Sequence, residues 1–147
     1  MFAVFDSHNQ KPRLSMPESA PQFVWDHLHI FTSDAEETAR WFAGVLGAEI
    51  VRSPVRIEVR FGALRIFVDE SLEGNVTNPP AVPSRRGLDH FGLLVKDIDF
   101  VASQLKAKGV KFTKEPQTAR PGVRMCFIEG PQGISIELIE RDTKYKL

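Results

Sequence analysis

An alternating run of apolar and polar residues lies inside the segment WDHLHIFTSD that spans Trp25 to Asp34. The same alternation returns in LDHFGLLVKD, Leu88 to Asp97. A period of two predicts a strand whose successive side chains point to opposite faces. After each segment the period changes. Ala39, Phe42, Ala43 and Leu46 recur at helical spacing in AEETARWFAGVLGAEIV, and Ile98, Val101, Ala102 and Leu105 do so in IDFVASQLKAKGVKF. Asp34 or Ser33 can accept from the free amides of the first turn, with Glu36 and Glu37 placed for a capping box, and Asp97 caps the second helix. Gly47 and Gly109 suit the left-handed residue that ends a helix.

Strands follow both helices. Val55–Gly62 (VRIEVRFG) lines up with Val123–Gly130 (VRMCFIEG), and Leu64–Ser71 (LRIFVDES) with Ile134–Arg141 (ISIELIER). Short runs near Ala48–Arg52 and Val110–Thr113 supply one more strand each. The order β-α-β-β-β is therefore written twice, an α+β pattern of two modules, residues 23–70 and 87–141. The Pro- and Asn-rich stretch 71–86 reads as their linker, 1–22 as an N-terminal extension and 142–147 as a tail. In the extension FAVF has the apolar character to pack on the body, and His8 reads as a polar tail residue. GPQG (Gly130 to Gly133) reads as a hairpin turn.

Composition narrows the function classes. The chain has 147 residues, 42% of them hydrophobic, enough for one domain with a real core. Lys+Arg and Asp+Glu are both 19, which argues against a general nucleic-acid or membrane-surface binder. The single cysteine, Cys126, excludes an intrachain disulfide and suits a cytoplasmic location. The N-terminus has no basic start followed by an apolar run, so no secretory signal is expected, and no apolar stretch reaches the ~18–20 residues of a membrane span.

Three motifs in order, DHLHIFTSD, LDHFGLLVKD and FIEGPQGISIEL, give the chain a resemblance to the vicinal oxygen chelate superfamily, which includes glyoxalase I, methylmalonyl-CoA epimerase, fosfomycin-resistance proteins and extradiol dioxygenases. The resemblance covers about residues 23–141. It implies two βαβββ modules whose mixed sheets cup a divalent metal ion, with ligands from the first and last strand of each module. Carried over by position, those ligands are His27, His90 and Glu137. Aligning the two last strands sets Phe67 opposite Glu137, so the fourth family ligand is absent. Two imidazoles and one carboxylate with open positions suit Fe(II) or Mn(II), with Zn(II) or Ni(II) as further choices. The resemblance further implies a small-molecule substrate and a homodimer. It leaves open whether each site forms within one chain or across a swapped dimer.

Alternation then assigns the cup wall. With His27 facing the cup, His29 and Phe31 face it too. Arg56, Glu58 and Arg60 oppose the apolar Val55, Ile57 and Val59. Arg65 shares the face of Phe67, and Arg124 is expected on the polar face with Cys126. Arg56, Arg60, Arg65 and Arg124, beside Phe67, thus form a candidate substrate-binding set for an anionic substrate. Asp26 and Asp89 are expected to be structural and to point away from the site.

His29 and Glu137 are the candidate catalytic groups. A glyoxalase- or epimerase-like lyase or isomerase needs a base beside a carbonyl, and with Phe67 in place of a glutamate His29 takes that role in the first module. The alternatives are an Fe(II)-dependent extradiol-type dioxygenase, a fosfomycin-type resistance enzyme, and a metal-free binder of the bleomycin-resistance kind. The stretch TKEPQTARPGVRMCF lacks the further histidine of the extradiol pattern, and Phe127 stands where that pattern has tyrosine.

Overall fold

Asp34 and Asp97 begin the two helices, as the capping pattern predicts. Each sits in extended backbone, and its carboxylate accepts from the amide three residues on, Glu37 at 2.7 Å and Phe100 at 2.9 Å. The helices run Ala35–Leu46 (α1) and Ile98–Ala107 (α2). Gly47 ends α1 with φ +74°. The second helix is capped by Lys108, and its left-handed residue is the next one, Gly109. The computed structural model describes residues 25–71 and 86–142. The extension 1–22 with FAVF and His8, the interior of the 71–86 linker, and the tail beyond Asp142 lie outside the described residues.

The strands are β1 Leu28–Thr32, β2 Glu49–Arg52, β3 Ile57–Phe61, β4 Leu64–Glu70, β5 Phe91–Leu94, β6 Phe112–Arg120, β7 Val123–Glu129 and β8 Ser135–Arg141. They form two four-stranded sheets, β1-β4-β3-β2 and β5-β8-β7-β6. In each, the first strand runs parallel to the last and the other pairs are antiparallel. The fold is α+β, two repeated βαβββ modules, as the sequence pattern predicts. β6 is longer than the expected Val110–Thr113. Its extra residues, including Pro116, are mostly exposed at a sheet edge and carry register shifts, so they show no alternation.

One face of each sheet builds the core. Val59, Ile66 and Val68 from the first sheet, and Cys126, Ile128, Ile136 and Leu138 from the second, join Ala39, Phe42, Ile98 and Leu105 of the helices in one cluster. Polar contacts also tie the modules. Lys108 Nζ donates to the carbonyls of Gly44 (2.8 Å) and Val45 (3.2 Å), in the last turn of α1. That turn has no basic residue of its own, so the charge that complements its dipole comes from the other module. Gln132, in the 3-10 turn Pro131–Gly133, donates to Thr32 Oγ1 at 3.0 Å. Thr32 is buried and shares a 2.7 Å hydrogen bond with Thr38. Gln132 holds φ +58°, a left-handed backbone that strains a residue with a Cβ. The GPQG turn therefore also serves as an intermodule tie.

The opposite face of the first sheet carries a charged clamp. Glu58, only 8% exposed, accepts from Arg65 Nε at 2.6 Å and Arg60 Nε at 2.7 Å. The hydrogen bonds from Arg65, then Arg60, hold its carboxyl down from 4.5 to about 2.

Two outcomes are expected. The folded pKa of Glu58 lies below its unfolded value, so its contribution is full above about 4.5 and is lost as pH falls toward about 2. Glu58→Gln should lower the melting temperature at pH 7, where Arg60 and Arg65 lose the buried anion they share. The gap from wild type should narrow steadily between pH 4.5 and 2 in thermal melts. At the turn, Gln132→Ala loses the tie and keeps the strain, whereas Gln132→Gly loses both. Urea denaturation should rank wild type and Gln132→Gly above Gln132→Ala, with the glycine variant ahead of the alanine one by about 1 kcal/mol.

Candidate metal centre

Strand register decides which positions in the two modules correspond. His29 pairs with Phe67 across β1 and β4, and Gly92 pairs with Glu137 across β5 and β8. His27 and His90, each two residues earlier, are therefore equivalent, and so are Phe67 and Glu137. This is the correspondence expected from the sequence.

The two Asp-His steps have a common geometry. Asp26 Oδ2 lies 2.6 Å from His27 Nδ1, and Asp89 Oδ1 lies 2.6 Å from His90 Nδ1. The expectation that both aspartates point away is corrected. Both dipeptides precede their strands, so strict alternation does not govern them and each carboxylate folds back onto its neighbour's ring. An ionised carboxylate only accepts, so Nδ1 is the donor in each contact.

His90 Nε2 lies 3.5 Å from Glu137 Oε2. Two donors bonded to one ion at about 2.0–2.2 Å stand roughly 3–3.5 Å apart, so this pair fits a shared divalent cation. Gly92 keeps the carboxylate clear, since a Cβ there would stand 3.3 Å from Glu137 Oε2. Two imidazoles and one carboxylate are the donor types of a 2-His-1-carboxylate centre.

His27 stands in the first module, stacked on Phe67 with ring centroids 4.0 Å apart. Among the described residues, no three His, Cys, Asp or Glu side chains converge on a metal-sized site. The chain thus brings His90 and Glu137 together but does not bring His27 to them. His29 shares the face of Phe67, lies against Phe31 with centroids 4.7 Å apart, and its Nε2 is 2.9 Å from Asp69 Oδ2. Asp69 was not singled out in the sequence. The available signal was its alternation with Phe67 and Arg65 on β4.

The four candidate arginines separate. Arg56 lies 4.3 Å over the Phe67 ring, with Nη2 4.0 Å from Asp69. Arg60 and Arg65 are on the expected face, both held by Glu58. Glu58 in turn is a poor proton acceptor, clamped at a pKa of about 2. Arg124 is corrected to the helix side, where Nη2 donates to Asp99 of α2 at 2.9 Å. Cys126 follows it, fully buried in the core, and burial pushes its thiol up to about 11. The cause is a one-residue slip. Glu58 stands beside Phe67 and Phe127 beside Glu137, so Phe127, not Cys126, corresponds to Glu58.

Relatives among known proteins match this architecture. A probable lactoylglutathione lyase of Synechocystis is 24% identical over 125 residues, covering 80% of this chain and 95% of that protein. A probable chloroplastic lactoylglutathione lyase of Arabidopsis thaliana is 41% identical over 56 residues, 37% of this chain but only 16% of that longer protein. The crystal structure of a glyoxalase family protein from Bacillus cereus superposes with a TM-score of 0.66 at 19% identity, covering 86% of this chain and 99% of that one. The model of the Glyoxalase/Bleomycin resistance protein/Dioxygenase superfamily matches residues 25–138. That match runs from just before the first Asp-His step into the last strand, and the chain belongs to this superfamily.

Proposed function

We propose that the protein is a metal-dependent lyase or isomerase acting on a small anionic substrate with adjacent oxygens, its metal held by His90 and Glu137 of one chain and His27 of a second copy. The observation that carries this is the 3.5 Å approach of His90 Nε2 to Glu137 beside a His27 that the same chain keeps elsewhere. The names of the Synechocystis and Arabidopsis relatives support lyase chemistry.

The strand edges support a second copy. β2 and β6 are guarded edges, β2 by charges at both ends and β6 by Lys114, Pro116 and register shifts. β1 and β5 carry neither charged residue nor proline. Their flanks expose apolar side chains at equivalent positions: Trp25 and Leu88 two residues before the histidines, Phe31 and Leu94 farther along each strand. Pairing β1 of one chain with β5 of its twofold mate covers both edges twice and joins the half-sites.

A divalent cation held there supplies Lewis acidity toward the substrate's oxygens and a template for them. Iron(II) or manganese(II) suits the donor set, with zinc or nickel as alternatives. The protein's own residues do the rest. Among the described residues Arg56 has Asp69 no nearer than 4.0 Å and no hydrogen-bonded carboxylate, and it anchors the substrate anion over Phe67. His29, held through Nε2 by Asp69, accepts at Nδ1 the proton from the carbon beside the substrate carbonyl.

His27→Ala, His90→Ala and Glu137→Ala should each lose most bound metal while keeping the fold, measured by elemental analysis and circular dichroism. Mixing and refolding His27→Ala with Glu137→Ala should restore about a quarter of the wild-type metal, because half of the dimers are mixed and each holds one intact site. No recovery on mixing would exclude the shared site. Turnover of lactoylglutathione and of 2-oxo carboxylates tests the two side chains. Arg56→Gln should raise KM about tenfold or more, the loss of a charge-assisted contact. His29→Gln should keep its metal and lose roughly 10²–10⁴ in turnover. Normal turnover in that variant would remove His29 from the chemistry.

A further inference from the structure

The described residues contain three histidines outside the core, and each has one carboxylate within 2.9 Å, His90 having in addition Glu137 Oε2 at 3.5 Å from Nε2. The partners do not grip the same atom. Asp26 and Asp89 hold Nδ1 of His27 and His90, both at 2.6 Å, whereas Asp69 holds Nε2 of His29 at 2.9 Å. A neutral imidazole in water prefers its proton on Nε2. Left alone, His27 and His90 would mostly present Nδ1, the nitrogen crowded against their own backbone. A ligand that must present Nε2 gains from a partner that pins the proton on the other side.

We propose that Asp26 and Asp89 are positioning residues that select the ring nitrogen their neighbours present, each holding Nδ1–H so that Nε2 is offered as a lone pair to a divalent cation. This rests on His27 and His90 being ligands. The aspartates have little other structural work. Their side chains are 68% and 50% exposed, and both lie outside the regular strands. Asp89 touches only His90 among the described hydrogen-bonding partners, whereas Asp26 also accepts from Arg65 Nη1 at 3.2 Å. Arg65 in turn grips Glu58, so the orientation of His27 is braced by the sheet's buried clamp. The Asp-His step is thus a ligand with its own orienting group one residue away. It was written twice because each module supplies one such imidazole. His29 is the internal contrast. Its carboxylate comes from the neighbouring strand and leaves Nδ1 open, which suits proton transfer rather than ligation.

Long-range nitrogen–proton correlation spectra of the full metal-free chain, taken where imidazole is neutral, report the tautomer of each ring. His27 and His90 should show Nδ1–H and His29 should show Nε2–H. Asp26→Ala and Asp89→Ala, both at exposed positions, should each convert their own ring to Nε2–H and leave the other ring as it was. Each should also weaken Zn(II) binding by roughly 10–100-fold, the range for loss of a ligand's hydrogen-bonded partner. Asp69→Ala should leave Zn(II) affinity unchanged. Wild-type rings of His27 and His90 that carry the proton on Nε2, or alanine variants that bind Zn(II) as tightly as wild type, would overturn the proposal. Nδ1–H rings in a chain that binds no Zn(II) would uphold the ring selection and overturn the ligand reading beneath it.

Discussion

Strand register is the constraint on which the rest of the structure depends. Ile66 and Val68, Ile136 and Leu138 must face their helices to form the core, and all four are essentially inaccessible to water. Once they do, Arg65, Phe67 and Asp69 on β4, and Ser135, Glu137 and Ile139 on β8, are turned to the opposite face. The parallel partners then fix what stands beside them: His29 beside Phe67, Gly92 beside Glu137. A slip of one residue in either last strand would bury a carboxylate among helices and expose the core. The register that stabilises the fold also aims the candidate ligands.

The two open faces share geometry and differ in chemistry. In the second module a glycine beside Glu137 leaves the carboxylate room, and His90 stands close to it. In the first, the equivalent pair is His29 and Phe67, and the surrounding charges are internally satisfied: Glu58 with Arg60 and Arg65, Asp69 with His29. The second module's open face carries an imidazole beside a carboxylate, while the first is lined with an aromatic ring and a guanidinium. Duplication gave two copies of a frame, and the residues on the open faces have divided the work.

Much of this was legible in the sequence because burial imposes a period. The switch from alternation to helical spacing after Asp34 and Asp97 marks both helices, and the equivalence of Phe67 with Glu137 follows from the apolar residues around them. The full length of β6 leaves no signal, because an exposed edge strand needs no apolar face and KEPQTAR shows no pattern. The shared Val-Arg of the two hairpins suggests an alignment one residue out, which puts Arg124 and Cys126 on the wrong face. Only the pairing with β4 and β8 resolves it. Asp26 and Asp89 were misjudged for another reason. They lie just before the strands, where backbone periodicity ends and a short side chain can fold back on its neighbour.

The way the modules are tied bears on assembly. Gln132 grips the entry to α1, and Lys108 grips its last turn. Both contacts, with the shared core, hold module to module through side chains, the first of them at Thr32, the last residue of β1. β1 and β5 keep their outer hydrogen-bonding edges, each flanked by apolar side chains and preceded by a histidine. An edge without charge or proline favours pairing with another strand. The hydrogen bonds that tie the modules are made by side chains, so they leave the outer backbone edges of β1 and β5 available to the second copy proposed above.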